Sequence, residues 1–260
     1  MRLLSIDFDY WMPEKIEWDF GHQEIPLMID FIWHSRAANF LARDMDFRQE
    51  MSISLDEMHP SELGYALVGD LGCSFPRDSM AFAESHVSAH DWFKDVQDGE
   101  LWHIDAHHDI WYGREDINCD NWVKHLVDEG KVRSVNLVYP RWRMEEKFDF
   151  DWNGKVEEVI ARWRKKGVLF KKHYGLKSLP RGMRFDRTFM CRSGAWVPPW
   201  LDNLFIYAAM NLLMAGDQRR YTTYTRDNLD AFRREFSEEG AKRLSDVMKE
   251  QMSSIMASQK

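Results

Sequence analysis

The sequence predicts an α/β protein of three layers, α/β/α, built on a largely parallel sheet. Short apolar runs read as strands alternate along the chain with segments of helical periodicity, the pattern of strands joined by helical crossovers and covered on both faces. The 260 residues are 44% hydrophobic and 30% charged, an ordinary globular composition with ample material for a buried core. No internal repeat or low-complexity linker divides them, so a single domain is expected over 1–260, with a charged, helix-prone, peripheral segment over 227–260. In such sheets, ligands sit at the C-terminal ends of the strands.

The first strand is Leu3-Leu4-Ser5-Ile6-Asp7-Phe8-Asp9-Tyr10, an apolar run that passes into alternation and ends at Pro13. A helix follows over 28–41, with Phe31, Ile32, Ala38 and Leu41 near 3.6 spacing, and 64–69 and 82–87 are candidate short strands. Leu101-Trp102-His103-Ile104-Asp105-Ala106 is a stronger strand; it follows the Asp98-Gly99 turn signal and runs into a His-rich segment. Asn118 or Asp120 is the candidate cap of a helix carrying Trp122, Val123, Leu126 and Val127, which Gly130 stops. Strand 132–139 closes at Pro140. A charged amphipathic helix over 156–166 stops at Gly167 and leads into strand 168–170. A strand over 188–191 precedes the Pro198-Pro199 break, and 201–215, apolar on nearly all sides, is a buried helix.

Charge and cysteine content narrow the function classes. With 43 acids against 35 bases the formal charge is -8, which argues against wholesale binding of a phosphate backbone and so against a nucleic-acid partner. The acidic excess suits a cation instead, either a metal or a positively charged substrate. A local exception is the Lys- and Arg-dense stretch 162–192, of which 162–172 reads as a solvated helix face or, alternatively, a docking surface for an acidic leader segment. No run approaches the ~20 apolar residues of a membrane span, and the N-terminus reaches an acid too soon for a secretory signal. Three scattered cysteines, Cys73, Cys119 and Cys191, suit neither a disulfide framework nor a four-thiolate metal site, so a reducing, cytoplasmic setting is expected. The chain is rich in aromatics, with 12 Trp, 8 Tyr and 16 Phe, most of them core material; Trp11, Trp102, Trp111, Trp122 and Trp196 flank the motifs below.

The motif that carries chemistry is Asp105-Ala106-His107-His108-Asp109, at the end of a predicted strand. In extended chain, residues i, i+2 and i+4 share a face, so Asp105, His107 and Asp109 can converge. Asp7-Phe8-Asp9 has the same spacing at another strand end, and Glu84-Ser85-His86 ends the segment before the main motif. Four Asp and two His from three strand ends (Asp7, Asp9, Asp105, Asp109, His86 and His107) make a two-metal site, in which four carboxylates balance two divalent cations. Oxygen-rich ligation with two imidazoles favours Mn²⁺ on ligand hardness. His86 is the least specific of the set because His90 lies close by, although a solvated helix position suits His90 better.

Asp105-Ala106-His107-His108-Asp109 resembles the Asp-Ala-His-x-Asp signature of the arginase (ureohydrolase) family. Ser5-Ile6-Asp7-Phe8-Asp9 resembles its Ser-x-Asp-x-Asp signature, and Glu84-Ser85-His86 stands where that family has Gly-Gly-Asp-His. The likeness is local, covering about a tenth of the chain, and its order is permuted: in arginases the Ser-x-Asp-x-Asp element comes last, whereas here it opens the sequence. With Asn118-Cys119-Asp120-Asn121-Trp122 downstream and Trp196-Val197-Pro198-Pro199 later, the arrangement is similar to the peptide arginases, which convert arginine side chains within a peptide to ornithine and release urea. The resemblance implies an arginase/deacetylase-like fold and two Mn²⁺ ions per chain. His86, Asp105, Asp109 and Asp7 would hold one; His107, Asp9 and the bridging Asp105 and Asp7 would hold the other. Histone deacetylases share that fold and its Asp-x-His-His stretch, but carry Gly where Asp109 stands and hold one zinc. Asp109 therefore favours the binuclear reading.

The implied reaction is hydrolysis of a guanidino group. Two metals sharing a water lower its pKa from 15.7 towards ~7, where it can attack the resonance-stabilised carbon. Asp109 is the candidate proton acceptor and His108 the candidate donor to the leaving amine, on the strength of an imidazole pKa naturally near neutrality. His108 should point to the opposite strand face, so a supporting or core role stays open. Glu84 is a candidate for binding the guanidinium, or is structural; Arg192-Ser193-Gly194-Ala195-Trp196 offers no acid for that task. Asn118 and Asn121 are candidates for binding substrate backbone, or cap a helix. Trp111, Tyr112 and Trp196 could line a groove for a peptide, or pack in the core. Two alternatives accompany the guanidino reading: an amide deacetylase, and a catalytically silent metal-binding relative. The sequence leaves the oligomeric state open.

Overall fold

The computed structural model describes residues 1–13, 24, 26–56, 58–111, 115–145, 155–216 and 229–258. Its centre is one six-stranded sheet made of β1 (Arg2–Asp7), β2 (Met80–Ala83), β3 (Gly99–Ile104), β4 (Val132–Tyr139), β5 (Leu169–Tyr174) and β6 (Arg187–Cys191). All the pairings are parallel and the order is β2-β6-β1-β3-β4-β5. The longer helices are α1 (Pro26–Ala42), α2 (Val87–Phe93), α3 (Trp122–Asp128), α4 (Lys155–Lys165), α5 (Asp202–Ala215) and α6 (Glu238–Ser258).

The period-2 alternation of each strand sorts its side chains into two cores. Leu4, Ile6, Trp102, Ile104 and Met190 face a layer containing Trp33 of α1 and Phe205 of α5. Leu3, Leu101, Val135 and Phe189 face Phe93 of α2, Trp122 of α3 and Trp163 of α4. The result is an α/β protein with helices on both faces of a parallel sheet. The amphipathic α4 shows the cause plainly: Val156, Val159, Ile160 and Trp163, at i, i+3, i+4 and i+7, are buried while its charged face is exposed. Each such side chain contributes roughly 1.5–3 kcal/mol by leaving water. Outside the sheet, α6 packs along α1, with Ala241 and Ser245 buried.

Strand 132–139 and the helix starting at Pro26 follow their sequence patterns closely; β1 and β3 end earlier than read, at Asp7 rather than Tyr10 and at Ile104 rather than Ala106, and three further segments differ. The segment 64–69, read as a strand, is a π-helical turn, Tyr65–Asp70. Leu63, Leu67 and Leu71 are all buried at i, i+4 and i+8, so the helical stripe outweighs the short apolar run. Strand β2 is Met80–Ala83 rather than 82–87, because Ser85 Oγ accepts the Val87 amide and turns the chain into α2. Strand β5 runs on through Lys171, Lys172 and His173 because it is an edge strand with a solvated side, where charge is tolerated.

β1 lies inside the sheet, between β6 and β3. From its end the chain first crosses to the edge strand β2 and then returns to β3, on β1's other side. Strand order reverses there, and in parallel sheets the crevice at such a point is where ligands bind. Because every strand is parallel, Asp7, Ala83, Ile104 and Cys191 all close their strands on one rim.

The π-helical turn packs tightly on α5. A Cβ at Gly64 would lie 2.5 Å from the backbone oxygen of Asn211. Gly64→Ala is therefore expected to destabilise the protein by about 1–3 kcal/mol, read as a lowered urea midpoint; an unchanged midpoint would disprove this close approach.

Candidate metal centre

Two aspartates at the rim use their carboxylates in the same way. Asp7, the last residue of β1, accepts the Asp9 amide on Oδ1 at 2.9 Å, and this contact starts a 3-10 turn over Phe8–Trp11. Asp105, just beyond β3, accepts the His107 amide on Oδ1 at 2.6 Å. In both, the side chain takes the backbone two residues ahead and folds it into a turn. The second oxygen of each carboxylate stays available to the cluster.

The extended i, i+2, i+4 path expected for Asp105, His107 and Asp109 is thus replaced by a turn. Strand β3 ends at Ile104, and Asp109 has a left-handed backbone, φ 52°. Asp tolerates that region better than most residues, at a cost of order 1–2 kcal/mol. The neighbourhood fixes it there: the Asp109 carbonyl accepts the Val123 amide at 3.1 Å, at the first turn of α3, and Trp122 Nε1 donates to Asp109 Oδ2 at 2.5 Å.

The six sequence-derived metal ligands lie together at this rim. His86 Nδ1 is 2.9 Å from Asp7 Oδ2, 3.2 Å from Asp105 Oδ2 and 3.2 Å from Asp109 Oδ2. His107 Nδ1 is 2.8 Å from Asp9 Oδ2 and 3.6 Å from Asp105 Oδ1. Among the described residues, three groups have ligand atoms all within 4.8 Å of one another: His86, His103, Asp105 and Asp109; Asp9, Asp105 and His107; and Asp7, His86 and Cys191. That span fits donors around a single ion with bonds of roughly 2.0–2.3 Å. The groups could hold metal ions, and Asp105 belongs to two of them. The donor chemistry fits as well: His86 Nδ1, His103 Nε2 and Asp105 Oδ2 are buried atoms that face one another without forming a sound hydrogen bond. Meanwhile His86 Nε2 is held by Ser5 Oγ at 2.7 Å, the outer contact that orients a ligating imidazole.

Electrostatics point the same way. Burial pushes the His86 pKa down, but the charge of Asp7 and contacts with Asp105 and Asp109 more than offset it, leaving it well above the ordinary imidazole value. Asp9 is raised well above a normal carboxyl, first by burial and then by the charges of Asp7 and Asp105. In Asp105 and Asp109 burial is outweighed by the histidines, and both stay below the usual range. The carboxylates draw positive charge into a buried volume, and protons on the imidazoles meet part of that demand.

The other sequence-derived residues fall in different places. Glu84 receives Arg192, from Nε at 3.2 Å and from Nη2, and Arg192 also pairs with Asp202 at 3.1 Å; the Glu84 carboxylate is occupied by an internal guanidinium. Asn121 is fully buried: its Oδ1 accepts the Asn118 amide at 2.7 Å and its Nδ2 donates to the Asp116 carbonyl. It occupies the cap position of α3 but binds its own loop, so neither Asn118 nor Asp120 is the cap. His90 pairs with Glu129 at 3.1 Å, apart from the cluster. Trp196 packs its ring 4.7 Å from His107, Trp111 is half-buried with its amide on the Asp120 carbonyl, and Tyr112 lies outside the described residues. His108 does not have the near-neutral pKa expected of it: burial holds it down to about 4, and its Nδ1 accepts the Ile110 amide at 3.0 Å.

Three neighbours escaped sequence reasoning. His103, fully buried in β3, places Nε2 3.0 Å from Asp105 Oδ2 and 3.5 Å from Asp109 Oδ2; its signal was the i, i+2 spacing to Asp105, extended one step backwards. Cys191, where β6 ends, has Sγ 3.5 Å from Asp7 Oδ2. Glu24 sits beside the cluster, with Oε1 accepting Ser193 Oγ at 3.2 Å and Oε2 buried without a hydrogen-bond partner among the described residues. Burial raises its pKa to about 7. No sequence signal marks it. Comparisons with known protein families, with characterised proteins and with solved structures return no match.

His108 gives a pH signature. The unfolded imidazole takes a proton near pH 6.5 and the folded one only near 4, so its contribution is intact above 6.5 and is lost as pH falls towards 4. His108→Gln should lose less stability than the parent between pH 7 and 5 in urea unfolding; parallel losses would contradict a ring held neutral by the fold.

Proposed function

We propose that the protein is a metal-dependent hydrolase of guanidino groups, converting arginine side chains, foremost within a peptide, to ornithine with release of urea. The observation that carries this reading is the pair of cation-competent groups that share Asp105 on a parallel-sheet rim. One-metal amide hydrolysis needs only one of them, so the Asp9–Asp105–His107 group favours the binuclear reaction over a deacetylase. Two Mn²⁺ ions, held by His86, Asp105, Asp109 and Asp7 and by His107, Asp9, Asp105 and Asp7, would supply an ionised water at neutral pH.

The chain's own groups have distinct tasks. Asp109, kept below the usual carboxyl range and fixed by Trp122, is ionised and can take a proton. Returned to the departing nitrogen, that proton lets the amine leave neutral; the other water proton, still on the attacking oxygen, then passes to the freed amine, so guanidinium plus water becomes urea plus a protonated amine. His108, neutral near pH 7, is a poor proton donor and supports the turn through the Ile110 amide instead. Glu84 is engaged by Arg192, and among the described residues Glu24 is a carboxylate suited to a cationic substrate: its Oε2 is buried beside the cluster with no hydrogen-bond partner among them. A charge-assisted hydrogen bond there is worth about 1.5–3 kcal/mol.

The full-length protein loaded with Mn²⁺ is expected to release urea from arginine-containing peptides. Asp109→Ala should abolish the release and lower the metal content from about two ions per chain to about one. Release of acetate from acetyl-lysine with no urea from arginine would sink this reading. Glu24→Gln should lower kcat/KM for the arginine substrate about 10- to 100-fold with metal content unchanged; undiminished kcat/KM would remove Glu24 from substrate binding.

A further inference from the structure

His103 sits one pleat below Asp105 on the sheet face that carries Leu101 and faces Trp122. It pairs in register with Ser5 of β1, the residue that holds His86 Nε2. The rings of His86 and His103 are 5.1 Å apart and tilted by 61°, and Trp122 closes over His103 edge-on at 5.2 Å. The two imidazoles approach the same oxygens from different directions. Asp105 Oδ2 lies 3.2 Å from His86 Nδ1 and 3.0 Å from His103 Nε2; Asp109 Oδ2 lies 3.2 Å and 3.5 Å from them. Both His103 nitrogens are buried without a sound hydrogen bond, so hydrogen bonding alone does not account for an imidazole at this position. With the ring fully buried, a cation seated among His86, Asp105 and Asp109 would meet Nε2 as a fourth donor.

We propose that His103 is a metal ligand, and that the two halves of the centre differ in kind. One half is His86, His103, Asp105 and Asp109, with two nitrogens and two carboxylates. The other is Asp9, Asp105 and His107, with one nitrogen and two carboxylates. Two imidazoles suit nitrogen-preferring divalent ions such as Zn²⁺ or Co²⁺, whereas a carboxylate-dominated set suits Mn²⁺. The first half therefore takes a nitrogen-preferring ion ahead of the second whenever such an ion is offered to the metal-free protein. This inference rests on the metal centre of the proposed hydrolase and is independent of its substrate.

The test uses the full-length protein stripped of metal and loaded with one equivalent of Zn²⁺. X-ray absorption at the zinc edge should report two imidazoles per ion, and a single imidazole would overturn the proposal whether or not any variant folds. In Co²⁺ titrations, His103→Gln should weaken the first equivalent at least about 10-fold and leave the second within about two-fold, whereas His107→Ala should do the reverse. An unaltered first equivalent in a folded His103→Gln protein also overturns it. Absence of any stoichiometric ion removes this inference and the hydrolase reading together, while two-imidazole binding without urea release removes only the guanidino substrate.

Discussion

Four carboxylates crowded into a buried volume repel one another, and the rim of this sheet is organised around keeping them there. Asp7, Asp9, Asp105 and Asp109 are all buried within reach of three histidines. Uncompensated charge in such surroundings is costly, so the aspartates need positive partners from the histidines or from cations. Asp7 and Asp105 meet part of that need locally by giving one oxygen each to a backbone amide two residues ahead. The same hydrogen bond ends the strand, turns the chain and aims the other oxygen at the cluster. Local folding and charge placement are here one event.

The helices contribute at their ends. Residue His86 directly precedes α2, and Trp122 opens α3, so the layer that packs on the sheet also delivers an imidazole and the indole that anchors Asp109. The Asp109 carbonyl in turn receives the Val123 and Lys124 amides in the first turn of α3, so the helix start and the left-handed turn stabilise one another. Packing of Trp122 against Phe93 and the rings of His86 and His103 makes the apolar core continuous with the polar cluster. A change in the core is therefore felt by the carboxylates.

Much of the architecture was legible because its signals are local. The alternation in β1, β3 and β4 and the stripe of α4 are written into neighbouring residues, and each apolar run hands over to Asp or His where its strand meets the rim. The misread segments are those in which tertiary context decided: 64–69 coils because Leu63, Leu67 and Leu71 find a common core, and β5 lengthens because an edge accepts lysine. At the site, Asp7, Asp9, Asp105, His107 and Asp109 share short motifs. His103 looked like strand interior, and Glu24 and Cys191 come close only through chain crossings that no spacing encodes. Glu84 misled for the converse reason, since its partner Arg192 lies 108 residues away.

The loop that leaves β6 shows how far the rim's influence extends. Trp33 Nε1 donates to the Gly194 carbonyl, Arg36 to that of Ala195, and Arg234 to those of Gly194 and Val197 while also binding Asp202. Trp196, whose ring packs tilted against His107, sits inside this set of side-chain-to-carbonyl bonds. Elements far apart in the chain, α1 and the arm preceding α6, thus clamp one short span. The position of Trp196 beside His107 is thus set by residues far away in sequence on both sides of it.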